Sequence, residues 1–225
     1  MHRLQRLEAQ LGIAASAATE PENWLSRERR EALAESPSGC RLNIPLDAPG
    51  KTWGRIQIPF SDDRAGWGNK FVPVCIVNGL HPVGSDGDAA SKSALLMAGN
   101  HGDEYEPEIA LMKLARAVDP ATVQGRLIIV PVLSMDAALA FARCWPAGSG
   151  SPGTNFNRAF PGDAGGDTAS QLAYFISHEL FPDVDVVFDL HTGGNSMAMF
   201  PCAHMHLLPD EGQRVAMLNA MLAFL

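Results

Sequence analysis

Residues 93–107 carry the sequence Ser-Ala-Leu-Leu-Met-Ala-Gly-Asn-His-Gly-Asp-Glu-Tyr-Glu-Pro, in which a short apolar run leads into a polar loop. The run from Ala94 to Ala98 predicts a buried strand, and Gly99 ends it. His101 and Glu104 follow with two residues between them, a spacing typical of metal ligands. Zinc binds imidazole nitrogen and carboxylate oxygen, and a catalytic zinc site uses three protein ligands with a fourth position open to water. The segment therefore predicts two ligands, and a third must come from elsewhere.

His191 is the predicted third ligand. It ends a second apolar run, residues 186–190, and is followed by Thr-Gly-Gly. In parallel sheets, ligands gather outside the carboxyl ends of the strands, so His191 could meet His101 and Glu104 there. The alternative is a histidine that closes a buried strand and is held by a hydrogen bond. Asp189, two residues earlier, could instead orient His191 as a metal ligand.

Strand-like and helix-like patterns alternate along most of the chain. The predicted fold class is α/β, with a mixed, mostly parallel sheet flanked by helices, a short helical N-terminal segment and a small strand-rich start. Residues 1–40 form the N-terminal segment and residues 41–225 the main domain. The predicted strands are 41–44, 54–60, 71–77, 94–98, 127–132 and 184–190; the predicted helices are 4–11, 21–35, 107–118, 136–142, 168–180, with Thr168 and Gln171 as a capping box, and 213–224.

Four acidic residues crowd the start of the helix predicted at residues 107–118. An acidic side chain at the positive end of a helix is stabilised without any ligand role. We interpret Asp103, Glu106 and Glu108 in this way. Glu104 is assigned a ligand role because it alone stands three residues after a histidine.

Composition argues against several classes of partner. The net charge is −8 and Arg29-Arg30 is the one adjacent basic pair, so we expect no nucleic acid partner, because phosphate binding draws on clustered Lys and Arg. The first ten residues carry charges where a signal peptide needs its apolar centre. No apolar run approaches the roughly 20 residues that span a membrane. The four cysteines form no CxxC pair, and a cytoplasmic location without a membrane partner is expected.

A long loop, residues 145–166, lacks helix or strand periodicity, and loops of this length are more often functional than idle. It contains Asn157 and Arg158. Arginine presents a planar fork that suits a carboxylate, and asparagine can both donate and accept hydrogen bonds. The two side chains could hold an amino-acid carboxylate beside the metal. The alternative for Arg158 is a simple ion pair with a surface acid.

Three motifs in this order resemble the succinylglutamate desuccinylase and aspartoacylase family of zinc deacylases, which shares its fold with the zinc carboxypeptidases. The motifs are Gly-Asn-His-Gly-Asp-Glu at 99–104, Asn-Phe-Asn-Arg at 155–158 with Phe-Pro-Gly at 160–162, and Asp-Leu-His-Thr-Gly-Gly at 189–194. Within the family, residues 54–67 and 104–106 most resemble deacetylases that act on N-acetyl-diaminobutyrate. The similarity extends over about residues 51–209.

The resemblance implies a role for each matching residue. His101, Glu104 and His191 match the zinc ligands, and Asn157 and Arg158 match the pair that holds the substrate carboxylate. Arg143 lies near the position of an arginine that stabilises the carbonyl oxygen in the transition state, although its surroundings depart from the family pattern. Asn155 could orient His101 without itself being a metal ligand.

The family resemblance also implies a glutamate general base from well beyond the last motif. Neither Glu179 nor Glu211 has the matching context, and we interpret both as helix-surface acids, so the chain is expected to be truncated at its C-terminus and to lack the base. The expected activity is zinc-dependent hydrolysis of the amide bond of a small N-acyl amino acid. The alternatives are a metallocarboxypeptidase and a non-catalytic metal-binding remnant.

Overall fold

A computed structural model describes residues 36–63, 66–79 and 92–224, and within them six strands form one mixed sheet. The helices predicted at 4–11 and 21–35 lie outside the described residues. The strands are β1 (Arg41–Leu42), β2 (Gly50–Asp62), β3 (Gly66–Asn78), β4 (Lys92–Ala98), β5 (Gly125–Val130) and β6 (Val186–Leu190). Their order across the sheet is β1-β2-β3-β5-β4-β6.

The strand-rich start is a long antiparallel hairpin. Strands β2 and β3 pair over their full length, from Gly50 opposite Asn78 to Asp62 opposite Gly66. Both strands are longer than predicted. Apolar alternation marks only the half-buried part of each strand, whereas backbone hydrogen bonds between the two arms continue through polar residues.

The parallel part of the sheet consists of β5, β4 and β6. Strand β4 lies between the other two and is parallel to both, while β3 joins β5 in the antiparallel direction. The expectation of a mixed sheet is confirmed. The expectation that it is mostly parallel needs an adjustment, because the hairpin extends the sheet on one side and makes three of its five pairings antiparallel.

Four α-helices accompany the sheet in the described part of the chain: α1 (Tyr105–Ala117), α2 (Met135–Leu139), α3 (Thr168–Phe175) and α4 (Glu211–Phe224). Leu111 and Ala115 of α1 pack into one core cluster with Cys75, Leu96 and Ile129. Helix α3 contributes to the second cluster with alternating residues of β3, β4 and β5. Alternate strand residues thus face different clusters, which is why helices cover both faces of the sheet.

The start of α3 corrects one prediction. The N-cap is Asp167, whose carboxylate accepts a hydrogen bond from the Ser170 amide at 2.9 Å, so Thr168 and Gln171 do not form the predicted capping box. Aspartate caps at least as well as threonine and stands one residue earlier, so the helix starts with it. Among the described residues, no helix is both long and apolar enough to cross a membrane.

Candidate metal centre

Parallel pairing of β4 and β6 brings the predicted ligands together. Ala98 is opposite Leu190 in the register, so the loops that follow the two strands begin side by side. Ligand atoms of His101, Glu104 and His191 all lie within 4.8 Å of one another. The two imidazole ring centroids are 5.2 Å apart.

Glu104 is the centre of this group. Its Oε1 lies 2.7 Å from His101 Nδ1 and its Oε2 lies 2.8 Å from His191 Nδ1. The Thr192 amide donates to Oε2 at 3.1 Å, and Arg143 Nη1 donates to Oε1 at 3.1 Å. The side chain is only 3% exposed. Each oxygen of the buried carboxylate therefore has two hydrogen-bonding partners. A charged group can be buried only when it is compensated in this way.

Two pKa values show how tightly these groups are coupled. Burial raises the pKa of Glu104, but hydrogen bonds from His191, the Thr192 amide and His101, with the charge of His191, outweigh it and lower the pKa to about 2. Burial lowers the pKa of His191, but Asp189 and Glu104 outweigh it and raise the pKa to about 9. The site thus favours a carboxylate beside a positive charge.

Each imidazole also has a partner on its other nitrogen. His101 Nε2 lies 3.0 Å from Asn155 Oδ1, and His191 Nε2 lies 2.9 Å from Asp189 Oδ2. These acceptors hold a proton on Nε2, which leaves both Nδ1 atoms facing Glu104. Two imidazole nitrogens and one carboxylate oxygen, all converging, form a donor set that fits zinc.

Of the two predicted substrate-binding residues, Asn157 and Arg158, it is Asn157 that contacts this centre. Phe156–Arg158 form one 3-10 turn, capped by the Asn155 side chain, which accepts from the Asn157 amide at 3.1 Å. Asn157 Nδ2 lies 3.3 Å from His191 Nε2. Arg158 is exposed, and within the described parts of the chain it forms no ion pair with a carboxylate. The described residues therefore do not form the surface ion pair that was the alternative for Arg158.

Arg143 reaches the centre from the segment after α2. The side chain contacts Glu104 and is nevertheless 48% exposed. Glu179 and Glu211 form no hydrogen bond with the three candidate ligands, as expected of helix-surface acids.

The acids at the start of α1 do more than complement the helix dipole. Glu106 is exposed and accepts from Thr192 Oγ1 at 2.9 Å, and Asp103 accepts from the Asn195 amide at 3.4 Å. Both therefore hold the loop after β6 against the helix. Glu108 is buried, and burial together with the charge of Glu104 raises its pKa to about 7.

Sequence reasoning did not single out Asn100 or Thr192. Asn100 Nδ2 donates to Asp189 Oδ2 at 2.6 Å, and Thr192 contributes a backbone amide to Glu104. Their position next to a ligand was the available signal. Their partners, about 90 residues away along the chain, become apparent only once β4 and β6 pair.

Comparison with known proteins gives a consistent result. The family model of the succinylglutamate desuccinylase/aspartoacylase catalytic domain matches residues 90–224. The chain is 36% identical over 190 residues to N-alpha-acetyl-L-2,4-diaminobutyric acid deacetylase of Halomonas elongata, covering 84% of this chain and 52% of that protein.

Two solved structures are also similar to this chain. The product-bound ectoine utilization protein of Ruegeria pomeroyi is 34% identical, with a TM-score of 0.72 over 84% of this chain and 54% of that chain. A succinylglutamate desuccinylase from a Silicibacter species is 37% identical, with a TM-score of 0.70 over 82% of this chain and 52% of that chain. The chain spans about half the length of the relatives it matches.

Proposed function

Because the chain belongs to the succinylglutamate desuccinylase/aspartoacylase family, we propose that it carries the zinc centre of a deacylase that hydrolyses the amide bond of a small N-acyl amino acid. The convergence of His101, Glu104 and His191 supports this proposal most strongly. The matched relatives are a deacetylase and a desuccinylase, both hydrolases. Residues 41–225 are assigned to the catalytic domain.

The three candidate ligands would hold the ion through the two Nδ1 atoms and the Glu104 carboxylate, which already face one another. A bound zinc ion lowers the pKa of a water molecule and polarises a carbonyl oxygen, which makes amide hydrolysis possible near neutral pH. Asn155 and Asp189 accept from Nε2 of the two imidazoles, so that each Nδ1 would be the nitrogen that binds the ion.

Substrate binding is assigned to the loop after α2. Arg158 is exposed and unpaired with any described carboxylate, so its planar fork is available to the carboxylate of an amino acid. Asn157, whose Nδ2 lies 3.3 Å from His191 Nε2, would orient the bound molecule. Arg143, half exposed and in contact with Glu104, would stabilise negative charge developing on the amide oxygen.

The substrate class follows from the relatives. An N-acetylated amino acid of the N-acetyl-diaminobutyrate type is the first candidate, because one relative is named for the deacetylation of that compound. Hydrolysis also needs a proton acceptor within hydrogen-bond reach. Glu104 and Asp189 already accept hydrogen bonds from the histidines, and we propose that the acceptor is supplied from outside the described residues. The free cysteines support a reducing, cytoplasmic location.

Zinc content tests the centre directly. We expect about one zinc ion per chain after dialysis, and its loss in His191→Ala, because a site with one ligand removed no longer encloses the ion. The matched control is His206→Ala, which alters an exposed histidine of the described chain. Full zinc retention in His191→Ala, measured by elemental analysis, would rule out this centre.

Substrate assays then separate the activities. N-acetyl-diaminobutyrate and a short peptide are supplied in parallel to the zinc-loaded chain. Release of acetate supports the deacylase, and cleavage of the peptide alone would replace it with a carboxypeptidase. Binding of the N-acetyl compound without turnover, lost in Arg158→Ala, supports the substrate site and is the result expected where the proton acceptor lies outside the described residues. Zinc binding with neither turnover nor substrate binding would favour a non-catalytic metal-binding remnant.

A further inference from the structure

We infer that Asn100 is a positioning residue for the candidate metal centre, which acts through Asp189 to hold the Nδ1 atom of His191 towards Glu104. The inference rests on the proposed function, since it concerns the same site. The Asn100 side chain forms no hydrogen bond with His101, Glu104 or His191; its effect is transmitted by one shared carboxylate oxygen.

The shared oxygen is Asp189 Oδ2. It accepts from Asn100 Nδ2 at 2.6 Å and lies 2.9 Å from His191 Nε2. A carboxylate only accepts hydrogen bonds, so the amide of Asn100 must present its NH₂ group to it, and His191 must present Nε2–H. Two donors on one oxygen fix the rotamer of Asp189, and the fixed carboxylate in turn fixes the imidazole.

Without Asn100, His191 itself would be the one remaining hydrogen-bond partner of the Asp189 carboxylate among the described residues. Asp189 lies on the edge strand β6 and is exposed, so its carboxylate could turn to solvent. His101 has a comparable arrangement, in which Asn155 Oδ1 faces Nε2. Asn155 is itself held by the turn that it caps, whereas Asp189 depends on Asn100, from the loop that follows the neighbouring strand β4.

The Asn100 side chain is not needed to hold its own loop. The backbone oxygen of Asn100 accepts from Ser134 Oγ at 2.9 Å, and Ser134 Oγ accepts from Trp145 Nε1 at 2.9 Å. The Ser134 amide donates to the Gly99 oxygen at 2.8 Å. The side chain is 1% exposed, and its Oδ1 has no hydrogen-bond partner among the described residues. Burying an amide that forms a single hydrogen bond costs more free energy than burying an apolar residue. A requirement for the bond to Asp189 explains why an asparagine occupies this position.

The test compares Asn100→Ala and Asn100→Ser with Ser134→Ala. Ser134→Ala disturbs the same loop through the backbone contact but leaves the amide–carboxylate bond in place. Thermal unfolding first establishes that each variant is folded. The zinc dissociation constant, measured by competition with a chromophoric chelator, is expected to rise about tenfold in both Asn100 variants, the low end of the effect of losing such support, and to stay within about twofold in Ser134→Ala.

A second measurement does not depend on zinc or activity. In the zinc-free wild-type chain, the Nε2 proton of His191 is held by Asp189 and should give a slowly exchanging signal in nitrogen-15 NMR. We expect that signal to be lost through exchange in the Asn100 variants and retained in Ser134→Ala. Retention of the signal in both Asn100 variants, or zinc binding within twofold of wild type in both, would overturn the inference. If the wild-type chain binds no zinc, the proposed function fails, and the proton signal alone decides the role of Asn100.

Discussion

The Glu104 carboxylate shows how single residues organise the site. It receives four hydrogen-bonding contacts, two on each oxygen, from groups on three separate segments of the chain. Because each contact favours the ionised form, the carboxylate stays charged although it is buried. The same residue therefore serves both as a candidate metal ligand and as the contact that joins the loops after β4 and β6.

Glu108 is the opposite case, a buried acid that is poorly compensated. Its Oε1 has no hydrogen-bond partner among the described residues, and burial with the nearby Glu104 charge raises its pKa from 4.5 to about 7. Because the pKa of Glu108 is higher in the folded state, the folded chain favours the protonated side chain. The resulting contribution to the free energy of unfolding is complete below pH 4.5 and is lost as the pH rises through 7.

We therefore predict that Glu108→Gln stabilises the chain above pH 7, because the amide has the same shape but no charge to desolvate. The gain should be about 1–3 kcal/mol at pH 8 and close to zero at pH 4.5. Urea unfolding at both pH values measures it. Glu106→Gln, at an exposed position of the same helical turn, is the control and should show no such pH-dependent gain. Equal effects of Glu108→Gln at both pH values would contradict this account.

At the scale of elements, the loop between the first two ligands is confined by α2. A Cβ atom on Gly102 would lie 2.1 Å from the carbonyl carbon of Ala137 and 2.1 Å from the backbone nitrogen of Ala138. Backbone atoms of a helix cannot move aside cheaply, so the loop that carries His101 and Glu104 depends on glycine here.

Gly102→Ala should consequently displace this loop and weaken zinc binding by about tenfold or more, since the ligands lose their alignment. The same chelator competition measures the change. Gly68→Ala is the matched control, because a Cβ there would have no neighbour within 4 Å. Unchanged zinc affinity in Gly102→Ala would show that the loop tolerates the shift.

The turn that carries Asn157 and Arg158 is anchored by a buried ring. Phe156 is fully buried, stacks against Trp145 with ring centroids 5.9 Å apart, and meets Phe160 edge-on at 5.1 Å. Aromatic packing of this kind anchors the backbone turn that carries Asn157 and Arg158.

Phe156→Ala is expected to lower the free energy of unfolding by about 3–5 kcal/mol, because it removes a buried ring and leaves a cavity. It should also weaken binding of the N-acetyl amino acid, as the adjacent turn loses its anchor. Chemical denaturation and calorimetric titration measure the two effects. Phe200→Ala, at an 81% exposed phenylalanine, should change stability by less than about 0.5 kcal/mol. A similarly small loss in Phe156→Ala would contradict the anchoring role.

For the whole molecule, the candidate metal centre joins two neighbouring strands of the sheet that are far apart along the chain. His101 and Glu104 follow the inner strand β4, and His191 follows the edge strand β6. An ion bound to all three would resist separation of β6 from the sheet, because unfolding would release it.

Zinc should accordingly raise the thermal unfolding midpoint. At free zinc about 100 times its dissociation constant, mass action adds about 2.7 kcal/mol, which corresponds to roughly 5–10 °C for a chain of this size. Scanning calorimetry with zinc and with a chelator measures the shift. His191→Ala should show almost none of it, and an equal shift in that variant would mean that zinc stabilises the chain elsewhere.

The amino-acid sequence alone determined the strands that carry the ligands and the identity of the predicted ligands. Apolar runs that stop at Gly99 and at His191 are local signals, and parallel strands necessarily present their carboxyl ends at one edge. The convergence of His101, Glu104 and His191 could therefore be predicted without coordinates, and so could the mixed α/β fold.

Only the tertiary structure decided which groups surround those ligands. The bond from Asn100 to Asp189, the poorly compensated burial of Glu108 and the confinement of Gly102 by α2 all join residues that no local periodicity relates. The length of the β2–β3 hairpin was likewise set by pairing between its two strands. Hydrophobic patterning specifies which face of an element is buried, but the partner of each polar group depends on how the elements pack, and that packing is a property of the whole fold.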